Sequence, residues 1–138
     1  MQLFLDANVV FAAAISPEGR AQALFALAEA GYGTLITSSF AAEEARRNVE
    51  RKYPGALERL EDLLDRCRMV PEGTPTRLAW AHDFLPAKDA PILAAAVEAG
   101  AELLVTGDRA HFGALYGRTF EGTEVTPLAE GLARLLEL

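Results

Sequence analysis

A single cysteine, Cys67, in 138 residues leaves no partner for an internal disulfide and no Cys-rich zinc site. It recurs with Leu57, Leu60 and Leu64 at helical spacing, which predicts a buried, inert thiol. No apolar run approaches the roughly 20 residues of a membrane-spanning helix. Met1 leads straight into a strand-like segment, without the basic start, apolar stretch and small-residue cleavage site of a secretion signal. The corresponding expectation is a cytoplasmic protein. Lysine is scarce, with only Lys52 and Lys88, and the net charge of −7 gives no overall attraction for a phosphate backbone. Where charges sit counts for more than their sum.

What is present fits one domain across residues 1–138, long enough for a sizeable core. The pattern alternates strand-like and helix-like pieces. "LFL" (3–5) reads as a short buried strand. "RAQALFALAEAG" (20–31) reads as a helix with Ala21, Leu24, Phe25, Leu27 and Ala28 inward and Gly31 ending it. "TLIT" (34–37) reads as a second strand, after which Ser38 or Ser39 can cap a helix over 39–52. Pro54 suits the first turn of the next helix, "RMV" (68–70) a short strand. Residues 71–88 read mainly as loop, with one helical turn around Trp80. A helix follows from Asp89 to about Ala99, then a strand over 102–106, a short helix after "TGD", a last strand over 124–126, and a C-terminal helix opened by Pro127. This alternation predicts an α/β fold: a three-layer α/β/α arrangement around a short, mainly parallel central sheet.

In such folds ligands sit outside the carboxyl ends of the strands. Asp6 ends the first strand and Asp108 follows the strand "LLVT", so both project from the same edge. Asp89 starts a helix, and Glu43 and Glu44 lie inside another. Taken alone, each acid has an ordinary explanation as a cap, a turn residue or a solvated helix charge. Taken together, converging carboxylates with no lysine partner would repel: at 4 Å each like-charged pair costs about 4 kcal/mol at an effective dielectric near 20. A divalent cation removes that cost, and oxygen-only ligation points to Mg²⁺ or Mn²⁺ rather than zinc. Such a site suits hydrolysis of a phosphodiester by water.

"FLDANVV", "SSFAAEEARRNV" and "KDAPILAAAVEAGAELLVTGDRAHF" occur in the order of the PIN-domain ribonucleases, which the chain resembles over nearly its whole length. The third block is the most specific. The resemblance implies metal-binding acids at Asp6, Glu44, Asp89 and Asp108, with Thr106 and Asn8 as neighbouring polar residues that order the site. The choice of Glu44 over Glu43 rests on the family spacing; a helical wheel does not separate them. The family's usual "DTN" is here "DAN", so Ala7 removes one hydroxyl beside the first acid. RNA is the implied substrate, an inhibitory antitoxin protein and a homodimer the implied partners, with no membrane.

Arg46, Arg47, Arg51 and Lys52 follow Glu44 and are candidate phosphate contacts or solvated charges. Arg109, beside Asp108, is the stronger candidate, with Arg47. Trp80 reads as a base-stacking platform or a core anchor, His111 as a helper or a packing histidine. His82 lies in the same loop, and Asp83 is a candidate outer acid. Two other readings compete. A haloacid-dehalogenase-like phosphatase would need a second Asp where this chain has Asn8, and a well-placed Lys. A non-catalytic PIN-like module binding RNA or protein would have no use for four acids in register.

Overall fold

Leu3, Phe4 and Leu5 are wholly buried, which a strand achieves only with helices on both of its faces. They belong to β1 (Gln2–Leu5), the centre of the sheet in this computed structural model, which describes residues 1–137. β1 pairs in parallel with β2 (Thr34–Ser38) on one side and β4 (Leu103–Val105) on the other. β2 pairs with β3 (Arg68–Val70), and β4 with β6 (Thr123–Thr126), again in parallel. The two-residue β5 (Thr119–Phe120) adds an antiparallel edge, giving the order β3-β2-β1-β4-β6-β5.

Side chains alternate across the strands and so divide the core in two. Leu3, Leu5, Leu35, Leu103 and Val105 meet α1 (Ala7–Ile15), α2 (Arg20–Glu29), α4 (Leu57–Asp65) and α8 (Leu128–Leu136). Phe4, Ile36, Leu104 and Val125 meet α5 (Pro75–Ala81), α6 (Ala90–Glu98) and Phe112 of α7 (Arg109–Phe112). α3 (Ser39–Lys52) touches both layers, with Ala42, Ala45 and Val49 in the first and Ala41 in the second. Ser38 caps it, its hydroxyl accepting from the Ala41 amide, and Cys67 is buried among leucines. No helix of the described residues is long and apolar enough to cross a membrane.

Two elements escaped the sequence pattern, and a third was read as a single helical turn. α1, "ANVVFAAAI", packs against α2, α3 and α4, and its half-buried face, with Phe11, Ala12 and Ile15, is apolar too, so it shows no stripe. α5 occupies part of the segment read as loop: Thr74 caps it through the Arg77 amide and Pro75 fills its first turn. The two-residue β5 is too short to carry a period.

Gly73 lets the β3–α5 connection lie against α6. A Cβ there would stand 2.7 Å from the Ala94 Cβ and 3.1 Å from its carbonyl carbon, whereas a Cβ on Gly55 would meet nothing within 4 Å. Gly73→Ala should therefore lower urea-unfolding stability by about 1–3 kcal/mol, while Gly55→Ala leaves it within about 0.5 kcal/mol.

Candidate functional site

The strands after β1 build outward to β3, and those after β4 build the other way, so the crevice lies between the carboxyl ends of β1 and β4. Asp6 is the first residue beyond β1 and its amide still bonds to the Val105 carbonyl. Its side chain is only 4% exposed. Oδ1 accepts from the Ala7 amide at 2.7 Å, and Oδ2 accepts from the Thr106 hydroxyl at 2.8 Å and the Asn8 side-chain amide at 3.2 Å. Thr106 Oγ1 in turn accepts from the Asp108 amide at 3.1 Å, and Asn8 Oδ1 from the Gly107 amide at 2.8 Å. Thr106 and Asn8 thus tie the end of β1 to the "TGD" turn. With its amide facing two acceptors and a donor already satisfied, Asn8 cannot supply the acid that the phosphatase reading requires.

Asp89 reaches the same edge because α6 feeds β4. A helix that precedes a parallel strand must start where that strand ends, so the start of α6 and the turn after β4 share one rim. Although Asp89 occupies the cap position, its carboxylate caps nothing. It is 8% exposed, and its Oδ2 has no hydrogen-bond partner. His111 Nδ1 stands 3.3 Å away, close enough to count as an ion-pair contact but not aligned as a hydrogen bond. That nitrogen instead bonds Asp108 Oδ2 at 2.8 Å, while Asp108 Oδ1 caps α7 through the His111 amide at 3.2 Å.

Glu44 and Glu43 part company on α3. Glu43 is exposed and pairs with Arg46, which also grips Glu61. Glu44 is half-buried and feels Asp89 and Asp108, with Arg47 and Lys88 in opposition. The proton affinities record the crowding. Burial pushes Asp6 up to about 6, against the hydrogen bonds from Thr106 and Ala7 and with added repulsion from Glu44 and Asp89. Burial also raises Glu44 and Asp89, each further raised by a neighbouring carboxylate. Burial acts in the same sense on Asp108, but the His111 hydrogen bonds outweigh it and the carboxyl lies below its ordinary value.

Other residues singled out from the sequence lie elsewhere. Trp80 packs edge-on against Phe84 and Phe120, at 5.3 and 5.8 Å, with Arg77 over its ring: it is a core-edge anchor, not a platform for a base. His82 and Asp83 are exposed and take no part in the hydrogen bonds of the site. Arg51 bonds Asn48 and Lys52 lies over Phe11, whereas Arg47 and Arg109 are exposed, Arg47 near Glu44 and Arg109 near Tyr116. Three residues were underrated or missed. Lys88, adjacent in sequence to Asp89, is a cation facing Glu44, Asp89 and Asp108, so the acids are not free of lysine. His111 is inside the cluster; its place three residues after Asp108, on the next helical turn, was the available signal. Tyr116 donates its hydroxyl to the Thr106 carbonyl at 2.9 Å and steadies the turn, which no local motif announces.

A divalent cation fits this donor set. Asp89, Asp108 and His111 each offer an atom within 4.8 Å of the others, and the buried, unpartnered Asp89 Oδ2 lacks a positive neighbour in hydrogen-bond geometry.

The family model described as "PIN domain" matches residues 2–110. A search of curated sequences returned no match. Among solved structures, VapBC2 from Rickettsia felis, bound to a DNA fragment from its promoter, superposes with a TM-score of 0.68 at 16% identity, over 92% of this chain and 98% of the other. PAE2754 from Pyrobaculum aerophilum gives 0.71 at 18% identity, over 100% and 91%. FitAcB from Neisseria gonorrhoeae gives 0.65 at 21%, over 92% and 98%.

Asp6 ties stability to pH. Its carboxyl holds a proton up to about 6 when folded, against 3.8 ordinarily, so between those values the folded state binds more protons than the unfolded one. The stabilisation from the protonated carboxyl is full below about 3.8 and is lost as pH rises through about 6. In chelator, the stability of the wild type relative to Asp6→Asn should fall by about 2 kcal/mol from pH 4 to pH 7, most of the full shift at about 1.4 kcal/mol per pKa unit. Urea unfolding across that range measures it; a flat difference would mean that Asp6 titrates normally.

Proposed function

Because the chain belongs to the PIN-domain family, we propose that it is a Mg²⁺- or Mn²⁺-dependent ribonuclease whose cation is held by Asp6, Glu44, Asp89 and Asp108. The observation that carries this reading is the buried, unpartnered oxygen of Asp89 amid three other carboxylates, an arrangement that costs stability unless a cation joins it. Bound there, a divalent cation supplies Lewis acidity toward water and toward the phosphodiester oxygens.

The chain's own residues supply the rest. Thr106 and Asn8 fix the Asp6 carboxylate in one orientation, so it need not reorganise when substrate arrives. The attack of water on phosphorus releases a proton. Glu44, half-buried, of raised proton affinity and outside the hydrogen-bond network, is best suited to accept it. RNA is an anion approaching an acidic protein, so local cations matter. Arg47 and Lys88 lie near the acids, Arg109 directly follows Asp108 and lies near Tyr116, and all three suit the flanking phosphates. The nucleophile is water, so no covalent protein intermediate forms. Inhibition by a cognate antitoxin and assembly as a homodimer, both implied by the family resemblance, complete the proposal, together with a cytoplasmic location.

The purified chain should cut a labelled single-stranded RNA in Mn²⁺ and stop in chelator. Asp6→Asn, Asp89→Asn and Asp108→Asn should each lower the rate about a hundredfold or more, the scale expected when several kcal/mol of charge stabilisation is lost. RNA binding without cleavage in any divalent ion would favour the non-catalytic module. Release of phosphate from a monoester through an aspartyl-phosphate would favour the phosphatase.

A further inference from the structure

The sequence "DRAHF" puts His111 one helical turn after Asp108, and α7 is only four residues long, so the imidazole folds back over its own cap. An ordinary account makes His111 a partner of Asp108 alone. Two distances argue for more. The same Nδ1 lies 2.8 Å from Asp108 Oδ2 and 3.3 Å from Asp89 Oδ2, joining helices that approach the rim from different parts of the chain. One N–H can serve one acceptor well; it serves Asp108, and Asp89 Oδ2 stays unpartnered. In an octahedral shell with bonds of about 2.1 Å, neighbouring ligand atoms lie about 3.0 Å apart. The two distances straddle that edge length, and the three donor atoms, from three residues, all lie within 4.8 Å of one another.

We propose that His111 is a nitrogen ligand of the cation, making a mixed carboxylate–imidazole site that favours Mn²⁺ and other transition ions over Mg²⁺. The proposal rests on the cation-dependent reading given above. On binding, Nδ1 gives its lone pair to the ion and the ring carries its proton on Nε2; an imidazolium would release one proton to solvent. Mg²⁺ gains little from the exchange, since it holds oxygen ligands and water in preference to imidazole. Asp6, whose two oxygens already accept hydrogen bonds from Ala7, Thr106 and Asn8, lies outside the three closest donors.

The chain has only two histidines, so the ligating nitrogen can be assigned. Pulsed electron paramagnetic resonance on the Mn²⁺-loaded full chain should show a ¹⁴N coupling in the wild type and in His82→Asn, and none in His111→Asn. Titration calorimetry of the metal-free chain should give a preference for Mn²⁺ over Mg²⁺ that shrinks about tenfold in His111→Asn, whose side-chain oxygen is a harder donor. Circular dichroism checks that the variant folds; His111→Gln, read in the same way, replaces it if it does not. Binding of both ions with no ¹⁴N coupling, or with an unchanged preference, overturns the nitrogen ligand and leaves the acidic site standing. Binding of neither ion overturns both.

Discussion

The arrangement depends on carboxylates gathered at one rim of the sheet, where burial and mutual repulsion both oppose their charge. Asp6, Glu44 and Asp89 all hold their protons more tightly than free carboxyls do. The molecule relieves only part of this. Thr106 and Asn8 bond Asp6, His111 bonds Asp108, and Lys88 and Arg47 add positive charge from the surface. Asp89 Oδ2 keeps no partner. A polar group of that kind costs stability and persists where something outside the fold completes it.

The scaffold makes the crowding possible by being rigid and tightly packed elsewhere. β1 is buried on both faces, and its pairing with β4 brings Leu5 opposite Val105, so Asp6 and Thr106 emerge side by side. α6 carries Ala94, Ala95 and Ala96, all fully buried, whose small side chains let neighbouring elements pack close to the helix. Gly73 allows the neighbouring connection to lie against Ala94. Small residues thus do for the backbone what the polar residues do for the site: they fix positions that loops alone would leave loose.

The alternation of strands and helices was legible because most elements expose one face and bury another, and such faces leave a period. α1 was not, since its half-buried face, with Phe11, Ala12 and Ile15, is nearly as apolar as its buried one and leaves no stripe. The helix starting at Ser39 and the turn at Gly31, where φ is +93°, followed from local capping chemistry. α5 carried the same kind of signal in Thr74–Pro75, which the surrounding Pro and Gly obscured. In the site, sequence order presented Asp6 and Asp108 as strand-end acids. It left open where Asp89 lies, although a helix leading into a parallel strand must begin at that strand's far end. Glu43 and Glu44 are adjacent on one helix; the first pairs with Arg46 one turn on in the same helix, and only the packing of α3 brings the second near Asp89 and Asp108.

By itself the sequence determined the layer order and placed Asp6, Asp89 and Asp108 at strand and helix ends, because these follow from periodicity and from residue types at turns. Tertiary structure alone decided which groups meet. The 2.8 Å contact of His111 with Asp108, its 3.3 Å approach to Asp89 and the nearness of Lys88 come from where two helices and a strand converge. A distance between side chains from separate elements is set by packing in three dimensions, and no spacing along the chain encodes it.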